Sequence, residues 1–154
     1  MLRYSSFAGK SPQSILALCK DYHCKILGRG SSRTVIKISN KRVIKVALND
    51  AGQAQNKREA FLTDKYLELN LFANALYYEG NYNWIISQYA NKASIKEIFL
   101  FLRDNNPKIR KMGITDLVDT DRYPLKEHFG KINSRVVIID YGASRSIIDR
   151  YYLA

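Results

Sequence analysis

The chain has 154 residues, 46% of them hydrophobic and 12% aromatic, which suits one folded domain or two small lobes and excludes a disordered chain. Its 25 Lys and Arg outnumber its 14 Asp and Glu, so the net charge of +11 predicts an acidic partner: a protein surface, a nucleotide or a nucleic acid. Two cysteines outside any C-x-x-C pair and two histidines do not make a zinc site, and the lack of a long apolar run or signal core predicts a cytoplasmic protein with no membrane contact.

The first half of the chain predicts a meandering antiparallel sheet with two helices. Serine followed by proline predicts the start of the first helix, because serine caps helix N-termini and proline fits the first helical position. Runs of β-branched residues on either side of glycine-rich turns predict the strands. The predicted elements are a helix over 11–20, two strands with their turn over 25–38, a third strand over 40–48, a helix from about Gln53 within 49–72, and a hairpin over 73–90 that turns at Glu79-Gly80-Asn81.

The second half of the chain predicts more helix and one further hairpin. Ser94 followed three residues later by Glu97 forms a capping-box pattern, which predicts a helix start. The remaining predictions are a helix over 94–104, one or two separate helical turns over 107–113 closed by Gly113, a loop over 116–128, a hairpin over 130–140 that turns at Asn133-Ser134, and a terminal helix. We expect one domain over 1–154, with a sheet-rich lobe over 1–90 and a smaller helical lobe over 91–154.

Two glycines and a lysine in the first half are candidates for contact with phosphate. Gly28 and Gly30, in GRGSSRTV, either form an ordinary turn between strands or let the backbone approach phosphates and point N–H groups at them. Lys45 lies in the mostly apolar strand VIKV, where its ammonium group needs either a partner or the water-facing side of an edge strand. The sequence alone leaves both environments open for Lys45.

Two carboxylates complete the pattern. Glu59 follows on the next predicted helix, where it is either the partner of Lys45 or a solvated charge paired with Arg58 or Lys57. Asp140 ends the run VVIID, where it either belongs to an ordinary turn or holds a metal ion, since Mg²⁺ prefers carboxylate and phosphate oxygens. Gly142 would let the chain turn away from the site.

In this order the features resemble the protein-kinase-like family. GRGSSRTV matches G-x-G-x-x-G-x-V except that Arg33 stands in place of the third glycine, VIKV resembles V-A-I-K, and DYG resembles D-F-G. The stretch 43–61 is similar to small kinase-like proteins of bacteriophages. The resemblance covers 25–90 well, 128–142 fairly and the stretch between them poorly. It implies an α+β protein-kinase-like fold, with an antiparallel-sheet N-lobe that carries a C-type helix and a minimal, truncated helical C-lobe.

The resemblance also implies roles for these residues. Gly28 and Gly30 would cover the phosphates of ATP, Glu59 would hold Lys45 on them, and Asp140 would bind Mg²⁺. The backbone of the segment after the fifth predicted strand would contact the adenine, with Ser87 at the back of its pocket. These hinge residues are Gln88, Tyr89 and Ala90.

The catalytic loop of the family, H-R-D-x-x-x-x-N, has no match in this sequence. Counting back from Asp140 places its Asn at His128 and its Asp at Tyr123, so only the nearby Asp121 or Asp119 could substitute as the base. We therefore expect a pseudokinase-like binding protein that docks on and modulates a host macromolecule and retains ATP binding. The alternatives are a minimal Mg-ATP-dependent Ser/Thr phosphotransferase that uses Asp121, and a basic nucleic-acid-binding module. The expected partner is a host or phage protein with an acidic surface, in a bacterial cytoplasm.

Overall fold

The structure is a computed structural model that describes residues 1–153, and it shows a mixed α/β protein. A five-stranded sheet is followed by a separate two-stranded hairpin, with helices packed around both. The elements are α1 (Pro12–Asp21), β1 (Lys25–Arg29), β2 (Arg33–Ser39), β3 (Arg42–Ala47), α2 (Asp50–Lys65), β4 (Ala75–Tyr78), β5 (Trp84–Gln88), α3 (Ile95–Lys111), β6 (Phe129–Ile132), β7 (Arg135–Ile138) and α4 (Arg145–Tyr151), with short 3-10 turns at Tyr4–Ser6, Leu67–Leu69 and Lys126–His128.

The five-stranded sheet is antiparallel throughout, in the order β1-β2-β3-β5-β4. Strand β3 therefore lies inside the sheet, where Lys45 stands between Val35 of β2 and Ile85 of β5. The alternative that Lys45 lies on a water-facing edge strand is wrong, because both neighbours of β3 are paired along its length.

Helix α1 covers one face of the sheet and begins as the sequence predicts. The Ser11 hydroxyl accepts a hydrogen bond from the Ser14 N–H at 3.2 Å, and Pro12 occupies the first turn. Cys19 packs from this helix into a core that includes Ile44 and Trp84. Burial raises the pKa of the Cys19 thiol to about 12, so this thiol is a protonated packing group rather than a nucleophile.

Helix α2 lies on the opposite face of the sheet and starts three residues before the predicted Gln53. The Asn49 side chain caps it by accepting a hydrogen bond from the Gly52 N–H at 3.1 Å. A β-carbon at Gly52 would collide with the carbonyl oxygen of Ser32, so glycine lets this first turn lie against the glycine-rich loop. The periodicity of apolar residues starts later than the cap, which explains the late prediction.

Helix α3 is one continuous helix, and the predicted break before the 107–113 turns is wrong. The capping box forms, with Ser94 and Glu97 each accepting from the other's backbone N–H. Pro107 lies inside the helix although it removes one backbone donor. Ile109 and Met112 pack into a second core, and this packing holds the last turns in place. The second core also contains Leu62, Phe72 and Tyr141.

The second core fixes the end of the β6–β7 hairpin against helix α2. Tyr141 is fully buried, stacks on Phe72 with ring centroids 4.3 Å apart, and donates its hydroxyl hydrogen to the Ala73 carbonyl at 2.9 Å. Its oxygen also shares a 2.9 Å hydrogen bond with Thr63 of α2. These contacts fix the position of Tyr141 against α2, and with it the position of the preceding residue, Asp140.

The predicted hairpins, the predicted loop and the terminal helix agree with the structure. The 73–90 and 130–140 segments form hairpins, and Asn133 and Ser134 both have positive φ angles, 49° and 65°, as a tight hairpin turn requires. The 116–128 segment is mostly loop, and the terminal helix is α4. Within residues 1–153, no helix has both the length and the apolar character needed to cross a bilayer.

Candidate functional site

A cleft of about 380 Å³ lies between the glycine-rich turn, strand β3 and the end of the β6–β7 hairpin. The sheet lines one side of the cleft, and the segments that flank the hairpin, at residues 127–128 and 139–140, line the other. Seven of the nine predicted site residues line it: Gly28, Gly30, Lys45, Gln88, Tyr89, Ala90 and Asp140. Glu59 lies behind Lys45, and Asp121 lies elsewhere.

Lys45 and Glu59 form a buried ion pair at the back of this cleft. The Lys45 Nζ donates to Oε2 of Glu59 at 2.6 Å and to the carbonyl of Ile139 at 2.5 Å. Glu59 is 0% exposed, so it is not the solvated helix charge that the sequence left open. Arg58 does not pair with it, because the Arg58 guanidinium donates to the carbonyls of Met112 and Gly113.

Arg33, which replaces the third glycine of the motif, is the residue that sequence reasoning did not assign. It is 7% exposed and extends from the start of β2 between the two carboxylates. Its Nη1 lies 2.9 Å from Oε1 of Glu59, and its Nη2 donates to Oδ1 of Asp140 at 2.8 Å. The only sequence signal for this contact is a long cationic side chain at a position where the motif has glycine.

Asn56 holds the Arg33 guanidinium from a third side. Its Oδ1 accepts from Nη1 of Arg33 at 3.1 Å, and its Nδ2 donates to the carbonyls of Lys45 and Tyr82. Because the two amide donations fix which way the Asn56 side chain points, its oxygen must face the guanidinium. Asn56 is fully buried, so this orientation is part of the packed interior.

The four charged side chains compensate one another. Arg33 and Lys45 contribute two positive charges, and Glu59 and Asp140 contribute two negative ones, which is the condition for burying charge. Burial tends to raise the pKa of Asp140, but the positive charges of Arg33 and Lys45 outweigh it, and the net effect holds the pKa below its ordinary value. Asp140 is therefore a carboxylate at neutral pH.

The residues around Asp140 do not fit the Mg²⁺ ion that the family resemblance implies. Its Oδ1 already accepts from the Arg33 guanidinium, and its Oδ2 lies 3.9 Å from Nε2 of His128. In residues 1–153, no group of three or more His, Cys, Asp or Glu side chains is arranged to hold a metal. At nucleotide sites Mg²⁺ takes one or two carboxylates and completes its octahedron with waters and phosphate oxygens, and here a fixed guanidinium already holds Oδ1 of Asp140.

The hinge segment offers fewer free backbone groups than expected. The Gln88 N–H donates to the Asn74 carbonyl at 3.0 Å, and the Tyr89 N–H donates to the Lys41 carbonyl at 2.8 Å. Both donors are therefore already used. Of the three hinge residues, Ala90 alone keeps an N–H without a backbone partner in the described part of the chain. Ser87 is fully buried on β5 behind the cleft and does not line it.

Two glycines near the cleft, Gly28 and Gly142, differ in whether the fold requires glycine at their positions. A β-carbon at Gly28 would meet nothing within 4 Å, so the fold does not require glycine there, and open space remains over the cleft. Gly142 has no positive φ angle, so its backbone conformation alone does not require glycine. Instead, a β-carbon there would lie 2.7 Å from the Gln55 carbonyl, so Gly142 permits close contact with helix α2.

The structure does not bring Asp121 to the cleft. Asp121 lies on an exposed turn, where its N–H donates to Oδ1 of Asp119 at 2.9 Å, and neither aspartate lines the cleft. Tyr123 is half exposed and packs edge-on against Phe99 of α3, with ring centroids 5.4 Å apart. His128 does line the cleft, beside Asp140, where counting back along the sequence placed the family's Asn.

Comparisons with known proteins give only distant structural likenesses. No protein-family model matches the chain, and no curated protein matches its sequence. Among solved structures, it is similar to the Legionella pneumophila Lpg2603 kinase bound to IP6, with a TM-score of 0.44 and 16% identity over 80% of this chain and 49% of that one. It is also similar to a mutant aminoglycoside 2'-phosphotransferase in complex with GDP, with a TM-score of 0.37 and 12% identity over 66% of this chain and 37% of that one. The chain therefore spans about half the length of the first of these proteins and less than half the length of the second.

Proposed function

We propose that this chain is a kinase-like, pseudokinase-type protein that binds a nucleotide in the cleft and does not transfer its phosphoryl group. One observation carries the proposal: the buried Lys45–Glu59 pair faces the cleft beside Asp140, while Arg33 occupies the Asp140 carboxylate. The first half of that arrangement suits phosphate binding, and the second half works against catalysis. The order of motifs from Gly28 to Asp140 supports a kinase-like fold.

The size and charge of the cleft suit a nucleotide. Its volume of about 380 Å³ lies within the ~300–1,000 Å³ that small-molecule sites typically have. Lys45 and Arg33 both reach it from the sheet, and each carries more N–H donors than its protein partners use. Ala90 supplies a free N–H at the hinge end, and the open space at Gly28 leaves room for phosphates under the turn.

Two features weigh against phosphotransfer. A general base must lie within hydrogen-bond reach of the attacking group, and Asp121 stands outside the cleft on an exposed turn. Asp140, which would position a metal ion on the phosphates, is already bound by a guanidinium. The Ser/Thr phosphotransferase alternative would need both residues to move.

Thermal unfolding with added nucleotide tests the proposal. A ligand that binds only the folded state at 100 times its Kd adds ~2.7 kcal/mol of stability, which raises the midpoint of a chain this size by roughly 5–10 °C. ATP and ADP should raise the midpoint of the wild type and should not raise that of Lys45→Ala. Lys57→Ala, which removes an exposed lysine two residues from Glu59, is the matched control and should respond like the wild type.

The same preparation separates binding from catalysis. Incubation with γ-labelled ATP and a generic protein acceptor should leave the label on ATP. Transfer of label that disappears in both Asp121→Ala and Asp140→Ala would establish the phosphotransferase alternative instead. A cooperative wild-type melt that no nucleotide shifts would remove the cleft from consideration as a nucleotide site.

We further propose that the protein acts by docking on a host or phage protein with an acidic surface. The net charge of +11 supports this kind of partner. Recovery of a partner from host lysate that is released by moderate salt would support it. Binding to DNA or RNA with a steep salt dependence would favour the nucleic-acid module instead, whereas a flat salt dependence would exclude it.

A further inference from the structure

We infer that the cleft binds its nucleotide free of divalent metal, with the Arg33 guanidinium in the place that Mg²⁺ would take at Asp140. This inference rests on the proposed function, that the cleft binds a nucleotide at all. It names the chemical form of the ligand: a polyphosphate whose oxygens contact protein N–H groups directly, rather than a magnesium chelate.

Arg33 is held at this place by two hydrogen-bond acceptors and one ion-pair partner. The guanidinium hydrogen-bonds to Asn56 and Asp140 and lies 2.9 Å from Glu59, and the residue is 7% exposed. The side chain of a surface arginine would move between several conformers. Here the groups that contact the guanidinium are themselves held in place. Asn56 is oriented by two backbone carbonyls, and Glu59 by the ammonium group of Lys45. The positive charge at Asp140 is therefore a built part of the site.

A magnesium ion at Oδ1 of Asp140 would have to displace this guanidinium. Binding at Oδ1 of Asp140 would break the 2.8 Å bond from Arg33 and leave a buried guanidinium next to a doubly charged cation. The other oxygen of Asp140 faces His128, a ligand type that Mg²⁺ does not favour. A metal ion also needs negative charge that is not yet compensated. Here Arg33 already neutralises Asp140, and Lys45 already neutralises Glu59.

The remaining donors suit bare phosphate oxygens. A guanidinium has five N–H groups, of which two are used in hydrogen bonds to Asn56 and Asp140, and an ammonium has three, of which Lys45 uses two. Arginine binds phosphate through planar, paired hydrogen bonds, and such charge-assisted bonds are about twice as strong as neutral ones. Metal-free ATP also leaves all of its phosphate oxygens open to these donors, whereas a bound magnesium ion would cover some of them.

Calorimetric titration of ATP into the wild type, once in EDTA and once in excess MgCl₂, tests the inference. We expect binding in EDTA to be at least as tight as binding in MgCl₂. Binding that is tenfold or more tighter with magnesium would overturn the inference and leave the proposed function standing. No heat and no midpoint shift in either buffer would overturn the proposed function, and this inference with it.

Arg33→Gly, which restores the third glycine of the motif, gives the complementary result. Loss of charge-assisted bonds should weaken binding in EDTA by roughly tenfold or more, and magnesium should now tighten binding because Asp140 is free. Arg122→Gly is the matched control: it removes an equal charge from an exposed residue with a φ of 62°, a conformation that glycine adopts readily. It should keep the wild-type response to magnesium.

A second substitution guards against failure of Arg33→Gly to fold. Arg33→Lys keeps the positive charge but loses the planar fork, so it should fold, bind ATP more weakly in EDTA and still gain nothing from magnesium. A gain from magnesium in Arg33→Lys would show that the fork alone excludes the metal and would contradict the charge argument. The wild-type titration decides the inference without either variant.

Discussion

Arg33 illustrates how one residue changes what a familiar pattern of motifs can do. A glycine at this position would leave Asp140 facing the cleft with an open carboxylate. The arginine side chain instead enters the interior and joins Asp140 to Glu59, which is already paired with Lys45. The result is a linked set of four charges in which Glu59 is enclosed and a guanidinium holds Oδ1 of Asp140.

Removing Glu59 should destabilise the protein more than removing any exposed glutamate. Glu59→Ala leaves Lys45 and Arg33 as buried cations with a single carboxylate between them, and breaking a buried pair in this way costs about 3–5 kcal/mol. Urea unfolding of Glu59→Ala measures this cost. Glu68→Ala, at an exposed position after α2, is the control and should change the unfolding free energy by less than about 0.5 kcal/mol. Equal stability of the two variants would mean that the four charges do not act together.

Acid should remove the contribution of Asp140 to stability. Because its pKa is held below the ordinary value of 3.8, the unfolded chain binds a proton more readily than the folded chain as the pH falls through this range. The contribution is therefore complete above the ordinary value and declines as the pH falls toward the lower, folded value. The difference in unfolding free energy between wild type and Asp140→Asn, measured from pH 6 downward, should stay constant and then shrink in acid. A difference that grows in acid would contradict the ion pair with Arg33.

Helix α3 is tied to the β6–β7 hairpin through its first turn. Glu97 accepts from Nζ of Lys131 at 2.8 Å and from the Ser94 N–H at 2.9 Å. Lys131 also pairs through its backbone with Asn91, which follows the hinge residues. The hinge, the start of α3 and the hairpin therefore meet at one point beside the cleft.

The hydrogen bond from Lys131 lowers the pKa of Glu97 to about 2, with further help from the Ser94 backbone and hydroxyl groups. An NMR titration of the Glu97 carboxyl should show this midpoint in the wild type. In Lys131→Met the midpoint should rise toward the ordinary value of 4.5, because the largest of these contributions is lost. An unchanged midpoint in Lys131→Met would show that the link between α3 and the hairpin is not formed in solution.

Two glycine substitutions distinguish packing from ligand access. Gly142→Ala forces a β-carbon into the backbone of α2 at Gln55, and overpacking of this kind costs ~1–3 kcal/mol. Gly28→Ala meets open space, so it should keep wild-type stability while weakening nucleotide binding by crowding the phosphates. Melting curves with and without ATP report both effects. If Gly28→Ala lost stability and still bound ATP normally, Gly28 would be needed for packing rather than for access of the ligand.

The elements could be predicted where local chemistry decides them. Ser11 and Pro12 start α1, the capping box starts α3, and β-branched runs form the strands of the sheet. The continuity of α3 through Pro107 could not, because burial of Ile109 decides it. The start of α2 was predicted late because the Asn49 cap, although local, precedes the apolar periodicity that was used to place the helix. The Arg33 contacts and the role of Gly142 were also beyond prediction, since both depend on residues far away in sequence that the fold brings close.

Taken over the entire chain, the fold places a small cleft between two cores. The core under α1 packs against one face of the sheet, and the second core packs against the β6–β7 hairpin. The residues that the sequence singled out for phosphate chemistry meet where these two units face each other, except for Asp121. Under the function that we propose, this arrangement holds a nucleotide without the metal site and the base that phosphoryl transfer needs.

Equilibrium dialysis of the wild type against ATP, with the nucleotide on both sides identified by chromatography, tests this account most directly. In EDTA, ATP should accumulate on the protein side up to one equivalent per chain and should be recovered as ATP after prolonged incubation. Lys45→Ala should not accumulate it. Failure of the wild type to accumulate ATP, or its conversion to ADP with magnesium in a way that Asp140→Ala abolishes, would contradict the account.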